Sequence, residues 1–525
     1  MSTVVFDGEI TNRYEICKDN NISQVVSDDS LIVFLYEKKG MDFVDDLEGR
    51  YAIVISDGSR TYLVRDKLGY QSIYYTIQND KLYCEFSLKS LFLNLPQKPQ
   101  IDSNAIYQYL SFWTLPSDLT WFEGVKKVES GHYISIENGV IIKKNYYDVS
   151  KFINAPNDDE KQLAQATVEK ILVDYFKGIN ESYCLALSGG VDSCLLAVVG
   201  SRMGKINHSV NVYINDNTDN EEIARIKKVK EHLCSVQMQF KPCIINSETV
   251  AKMVRLIPQQ TLEPMQLMDM MIIWTIMEGK EGTYLFGEGA DELGGYLDYV
   301  KNNEINSILK LRNKGIFYDR YYKGNYITSK HIVGMSEAEK KYVWKGRECI
   351  NSYQYISMLY EQISDDYQDS YFRKLQNVDF KLRLPEYLLK RIEIVCKILK
   401  TRAEFPFLNN KLVEYCLKIN KSTMLEGNEA KSIFRNILQE FIPAELWKGK
   451  KLGMGDGLSK YWNCIVLNNY INEIELKESH PLFQFVDREK IGEVVRRNNK
   501  IAWSIYSLGI WIEQLSDKEC FDTVS

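Results

Sequence analysis

None of the chain's 11 cysteines forms a C-x-x-C pair, which excludes the usual zinc knuckle and the redox dithiol. Scattered singly from Cys17 to Cys520, they read as reduced core residues of a cytoplasmic protein. Proline is scarce, 11 residues in 525 beside 30 glycines, and 45% of residues are hydrophobic against 26% charged; extensive disorder is excluded and two domains are expected. No basic cluster stands out, since 65 Lys and Arg face 71 Asp and Glu for a net charge of −6. The footprint of a nucleic-acid binder is therefore missing, and a small-molecule or peptide substrate is expected instead. No apolar run approaches a bilayer span either. The longest, around Met268 to Met277 and interrupted by Asp269, predicts a buried helix and no membrane segment. Met1 to Glu9 has neither a basic segment nor an apolar core, so no secretory signal is expected.

What is present has a clear order along the chain. From Leu31 to Tyr133 short β-rich runs (Tyr51 to Ile55, Thr61 to Val64, Ser72 to Thr76) alternate with Asp, Gly and Ser turns, predicting a sheet-rich amino-terminal domain. A polar break at Asn154-Ala-Pro-Asn-Asp-Asp159 then opens an amphipathic helix to about Phe176, with Asn or Asp as its cap. Domains of 1–153 and 154–525 follow. In the second, apolar strands (Tyr183 to Leu187, Ser209 to Ile214, Thr283 to Phe286) alternate with helices beginning near Val191 and Glu221. That alternation predicts an α/β fold with a doubly wound parallel sheet, its sites at the carboxyl ends of the strands. Beyond about Tyr299 a mainly helical region is expected.

The strongest single signal is Leu187-Ser-Gly-Gly-Val-Asp-Ser193, between a strand and a helix. Two glycines let the backbone turn its N–H groups toward an anion, and the helix adds the positive end of its dipole. The segment lacks the Lys-Ser/Thr ending of a Walker loop, which favours cleavage between the α and β phosphates of ATP with release of pyrophosphate. Taken alone, Ser-Gly-Gly also suits an ordinary strand-to-helix turn. A second segment, Phe286-Gly-Glu-Gly-Ala-Asp-Glu-Leu-Gly-Gly-Tyr296, again follows an apolar strand. If the two strands are parallel neighbours, Asp192 and Asp291 share one sheet edge, and two carboxylates beside a pyrophosphate suit Mg²⁺.

Together these segments make the chain resemble the asparagine synthetase family, including its β-lactam and carbapenam synthetase relatives. Asp7-Gly-Glu-Ile-Thr-Asn12, Leu47-Glu-Gly-Arg-Tyr-Ala52 and Arg65-Asp-Lys-Leu-Gly-Tyr-Gln-Ser-Ile-Tyr-Tyr75 look like pieces of that family's Ntn-type glutaminase domain. Leu384-Pro-Glu and Glu404-Phe-Pro-Phe-Leu408 look like its helical substrate region. The resemblance implies a PP-loop, adenine-nucleotide α-hydrolase-like sheet, with ATP held by Ser188, Gly189, Gly190, Asp192, Ser193 and Gly287, Mg²⁺ by Asp192 and Asp291, and the adenine beside Val210 to Ile214. In Trp447-Lys-Gly-Lys-Lys-Leu-Gly-Met-Gly-Asp-Gly457 the resemblance to the lactam formers makes Lys451 the catalytic lysine, a fixed cation for charge built on the transferring oxygens; a Lys-rich loop is otherwise a solvated face. Glu288 matches the glutamate of asparagine synthetases, a base for an incoming amine or else a partner for a backbone amide.

The chain also departs from that family. Its glutaminases begin with a mature amino-terminal cysteine, whereas residue 2 here is Ser2 and the Asp-Gly-Glu-Ile match arrives at residue 7, so a degenerate, truncated domain without glutamine hydrolysis is expected. Where the family has an Asp-Arg pair the chain has Glu393 and Ile394, and Arg402-Ala-Glu404 exchanges the charges of a Glu-x-Arg; such an exchange can preserve a salt bridge, but loss of the arginine at Ile394 argues against aspartate held in the usual way. The expected activity is amide formation in specialised metabolism: a carboxylate is adenylated and passed to an amine or ammonia, giving an intermolecular amide or a lactam. Two alternatives stay open, a related enzyme adenylating tRNA and a catalytically silent scaffold. A homodimer and a separate amine-supplying partner are equally open.

Overall fold

The computed structural model describes residues 2–22, 26–58, 60–157, 159–179, 181–214, 220–233, 236–265, 269–279, 282–295, 333–366, 370–426, 429–447, 477–497 and 499–516. In the first part, β1 (Thr3–Ile10), β2 (Gly49–Asp57), β3 (Arg60–Arg65), β7 (His132–Glu137) and β8 (Val140–Asn145) form an antiparallel sheet in the order β1-β2-β3-β7-β8. A smaller sheet joins β4 (Tyr74–Gln78) to β5 (Lys81–Glu85) and β6 (Lys126–Lys127). The period of two along β2 sorts its side chains between two cores. Tyr51, Ile53 and Ile55 pack with Leu31, Ile32 and Leu35 of the helix Asp28–Lys39, while Ala52 and Val54 pack with Ile73 and Tyr75 of the smaller sheet's layer.

The second part is built on a parallel sheet of β9 (Tyr183–Ala186), β10 (Ile206–Ile214), β11 (Gln237–Cys243), β12 (Thr283–Leu285) and β13 (Arg402–Glu404), ordered β11-β10-β9-β12-β13. Every neighbouring pair in it is parallel. Covered by helices such as Val191–Arg202, strands of this kind read as apolar runs rather than alternations, which is why they were visible in sequence. One detail differs from expectation: the long helix runs Lys161–Gly178 after Glu160, with no side-chain cap. Asp159 is committed elsewhere, accepting from Tyr415 Oη at 2.6 Å. Beyond residue 332 the described chain is mainly helical, and no described helix is long and apolar enough to cross a membrane.

The two parts share one apolar core, in which Trp121 and Trp511 lie with ring centroids 4.8 Å apart. Charge crosses the same boundary. Glu386 pairs with Arg65 at 2.9 Å and Lys127 at 2.5 Å, and Glu404 pairs with Arg50 at 3.0 Å. A cavity of about 280 Å³ also lies on this boundary, among residues including Asp7, Arg50, Gln71, Glu393 and Arg402.

Candidate active site

At the carboxyl end of β9 the chain leaves the sheet and turns at once into the helix Val191–Arg202. Two hydrogen bonds hold the exit: Leu187 N donates to Val210 O at 2.9 Å, and the buried Asn211 Nδ2 donates to Leu187 O at 2.8 Å. Gly189 then takes φ +73°, and a Cβ there would lie 2.7 Å from Ile226 Cγ1. Both the conformation and the space select glycine. Ser193 fixes the turn from inside, with Oγ accepting from Ser188 N at 3.2 Å and donating to Gly190 O at 3.3 Å. What remains is a short loop whose backbone opens onto a helix amino terminus, a geometry that receives anions.

The second glycine-rich segment arrives beside it because β12 pairs in parallel with β9, Leu285 opposite Leu185. Gly287 then packs on Asp192, where a Cβ would stand 3.2 Å from the Asp192 Cβ. One turn later the helix Ala290–Gly294 presents Asp291. Between the two aspartates sits a cation the sequence did not single out. Lys431 Nζ lies 2.7 Å from both Asp192 carboxylate oxygens and 2.9 Å from Asp291 Oδ1. Its stem passes where Gly294 has no side chain, since a Cβ there would fall 2.6 Å from Lys431 Cγ. Burial would push the Lys431 ammonium to shed its proton, but Asp192 and Asp291 outweigh it and raise its pKa, so the lysine is a buried, permanently charged group.

Glu288, on the same segment, reaches a second cation: Arg391 of the helix Lys390–Leu399 has Nη2 3.4 Å from Glu288 Oε1, and its Nη1 pairs with Asp269 Oδ2. The structure thus gathers Ser188, Gly189, Gly190, Asp192, Ser193, Gly287, Glu288 and Asp291 at one edge of the sheet. Lys451 lies outside the described residues. Lys431, Arg391 and Asp269 were missed. Each comes from a helix or helix start far away in sequence, and only Asp269, an acid within an apolar run, gave any local hint.

The substituted positions of the substrate region are placed differently from one another. Ile394 is a buried core residue. Glu393 is buried too and accepts from Ser72 N at 3.1 Å and Ser72 Oγ at 2.9 Å; burial opposes its charge, but Lys390 and Lys397 hold its pKa down at about 2. Arg402 and Glu404 do not pair with each other. Glu404 takes Arg50, while Arg402 reaches Glu9 at 3.7 Å and Glu181 at 4.0 Å, because the exchanged charges meet partners from the first domain and from the loop before β9.

A parallel sheet carrying two glycine loops at one edge, joined to a β-rich domain of packed sheets, defines the class: an α/β nucleotide-binding fold with a β-rich partner domain. The chain belongs to the asparagine synthase family, whose description matches residues 180–513, and a glutamine amidotransferase domain matches residues 1–147. It is therefore an ATP-dependent carbon–nitrogen ligase. It is similar to asparagine synthetase [glutamine-hydrolyzing] 1 of Bacillus subtilis, 23% identical over 97% of this chain and 85% of that protein. It is also similar to asparagine synthetase B [glutamine-hydrolyzing] of Escherichia coli, 22% identical over 87% and 70%. Amidase chyE of Penicillium rubens is 29% identical over 39% of this chain and 33% of its own length.

Proposed function

We propose that the chain adenylates a substrate carboxylate and passes the acyl group to an amine or ammonia, without hydrolysing glutamine, in specialised metabolism. The observation that carries this reading is the convergence of Asp192, Asp291 and buried Lys431 beside the Ser188 to Ser193 loop. A carboxylate oxygen attacks the α-phosphorus of ATP, the bond to the bridging oxygen breaks, and pyrophosphate leaves. The Ser188, Gly189, Gly190 and Ser193 backbone cradles the phosphates and Lys431 neutralises the departing charge. The two carboxylates converge on the Lys431 ammonium, and as hard oxygen donors they fit Mg²⁺ as well, which would share them with it. Bound there by Asp192 and Asp291, Mg²⁺ would supply charge neutralisation for the phosphates. Lys451 keeps its proposed role as the fixed cation for charge built on the transferring oxygens in both steps.

In the second step the amine nitrogen attacks the acyl carbon, AMP leaves with the bonding pair, and Glu288 accepts the amine's proton. Among the first domain's thiols, burial raises the pKa of Cys84 to about 11, which disfavours it as a glutaminase nucleophile. The amidotransferase match keeps glutamine in the test. Pyrophosphate exchange is to be measured with ATP, Mg²⁺ and a panel of amino acids and other carboxylic acids, alongside glutamate release from glutamine. Acid-dependent exchange without glutamate is expected. No exchange with any acid and no ATP binding would leave the silent scaffold, and glutamate formation would overturn the second half of the reading.

A further inference from the structure

The cavity of about 280 Å³ on the boundary between the two parts is lined by Arg50 and Gln71, and each of them brings a polar atom with nothing to bond. Arg50 Nε and Gln71 Oε1 are both buried without a hydrogen-bond partner. The rest of each residue is committed. Arg50 Nη1 donates to Ala403 O at 2.5 Å, and Nη2 meets Glu9 at 2.9 Å and Glu404 at 3.0 Å. Gln71 N donates to Asp66 Oδ2 at 2.9 Å, and its carbonyl accepts from Arg65 Nε at 2.8 Å. One donor and one acceptor therefore remain, and buried polar groups of this kind destabilise a fold unless something meets them. A leucine at position 71 would close the same wall with no unmet acceptor.

Another wall is one face of the helix Lys390–Leu399 and its cap, where Ile392, Glu393, Cys396, Lys397 and Lys400 recur at helical spacing. Arg391, which reaches Glu288, leaves that helix on a different side. Among the described residues lining the cavity, none belongs to either glycine loop, so it is separate from the site of adenylation. Its acids are taken: Glu393 accepts from Ser72 and pairs with Lys397 at 2.8 Å, and Asp7 faces the same Lys397 at 3.8 Å. The cations at the open side are not. Arg402 is half exposed and meets acids no nearer than 3.7 Å. Lys400 is exposed, and its ammonium makes no hydrogen bond or ion pair among the described residues. It also holds φ +54° at the helix end, a conformation that glycine adopts without strain, so the backbone gains nothing from a lysine there.

We infer that this cavity binds a small hydroxy acid that carries no amine, its carboxylate at Lys400 and Arg402 and its hydroxyl between Arg50 Nε and Gln71 Oε1. A hydroxyl serves there because it accepts and donates at once. An ammonium has no place, since Asp7 and Glu393 already face Lys397, while Glu9 and Glu404 already face Arg50. Amino acids, glutamine included, are therefore excluded. The size agrees with the class: the cavity falls below the roughly 300–1,000 Å³ of pockets that enclose drug-sized ligands, which leaves out nucleotides and peptides. Bound there, the acid touches Asp7 and Arg50 of the first part and the helix Lys390–Leu399 of the second, and so ties the two together.

Calorimetric titration of the whole chain tests this with glycolate, 3-hydroxypropionate and 4-hydroxybutyrate. Acetate, propionate and butyrate lack the hydroxyl, and glycine, β-alanine, 4-aminobutyrate and glutamine add an ammonium; all are compared at equal ionic strength. At least one hydroxy acid is expected to bind with a Kd of about 1 mM or below, about ten-fold or more tightly than its unsubstituted and amino counterparts. Two variants then locate it. Lys400→Gly suits the left-handed backbone and Gln71→Leu removes an unmet acceptor, so both should melt no lower than the wild type, yet each should weaken the hydroxy acid about ten-fold. The bound acid should also raise the wild-type Tm, and that rise should shrink in both variants. Absence of binding by all three hydroxy acids would leave the cavity to water and overturn the inference. Equal binding of glutamine or the amino acids would overturn it too, as would an affinity unchanged in either variant, which places the acid elsewhere. A Gln71→Leu protein that melts below the wild type would show that the amide is bonded within the fold, and the site would fall with it.

Discussion

At the scale of single residues, the two aspartates around Lys431 are unequal. Asp192 offers both oxygens at 2.7 Å and its side chain is 13% exposed, whereas Asp291 offers one at 2.9 Å and is 44% exposed. Asp192→Asn and Asp291→Asn should each abolish Mg²⁺-dependent pyrophosphate exchange, since each removes a charge next to the phosphates. Their stabilities should part: Asp192→Asn takes the nearer, drier partner from a buried ammonium and is expected to cost about 1–3 kcal/mol more in urea unfolding. Equal midpoints would contradict the asymmetry, and retained exchange would contradict the site. Glu393 gives a separate test in pH. Its folded pKa, about 2, lies below the ordinary 4.5, so the unfolded chain binds the extra proton first. The stability it contributes is full above about 4.5 and is lost as pH falls toward 2. Glu393→Gln should therefore flatten the acid limb of stability in that window, and an unchanged slope would show that Lys390 and Lys397 do not hold the carboxylate down.

At the scale of elements, the strand, loop and helix around Gly189 form the part of the site most plainly written in the sequence. The apolar run Tyr183 to Leu187, the paired glycines and the helix from Val191 are contiguous, so local chemistry alone exposes them. The meeting of Asp192 and Asp291 was legible as well, because β9 and β12 are parallel neighbours and both loops leave from the same edge. Lys431 was not. It enters from the start of the helix Ser432–Gln439, more than a hundred residues after Asp291, and nothing local separates a lysine that folds inward from one in solvent. Arg391 was hidden for the same reason, and so were the salt-bridge partners of Arg402 and Glu404, which lie in the first domain (Arg50, Glu9) and in the loop before β9 (Glu181). Gly189→Ala tests the element. With φ at +73° and Ile226 Cγ1 2.7 Å from the new methyl, it should cost about 1–2 kcal/mol in stability and weaken ATP binding measured by calorimetry. Unaltered ATP affinity would show that the turn does not shape the cradle.

At the scale of the whole molecule, the two parts differ in origin of fold yet share a core and buried charges, so they should unfold together. Glu386 is the clearest lever. Burial opposes its charge, but Lys127 and Arg65 outweigh that and lower its pKa. Glu386→Gln leaves two buried cations of the first part, Arg65 and Lys127, without the carboxylate that meets them across the boundary, a change of the kind that costs about 3–5 kcal/mol. Arg65 keeps carbonyl partners in Gln71, Val128 and Gly69 and cannot lose its proton. Lys127 can: burial already lowers its pKa from 10.5 even while Glu386 raises it, and without that carboxylate it falls further. The unfolded variant then binds one proton more than the folded one between the lowered pKa and about 10.5, so its stability rises with pH across that interval. The gap between variant and wild type in urea unfolding should accordingly narrow as pH increases toward 10.5, while alkaline titration of tyrosines, common to both, cancels in the difference. Fluorescence of the shared tryptophan core and far-ultraviolet circular dichroism should report one coincident transition throughout. A gap independent of pH would mean that Lys127 stays charged without Glu386, and two separated transitions would mean that the halves fold apart.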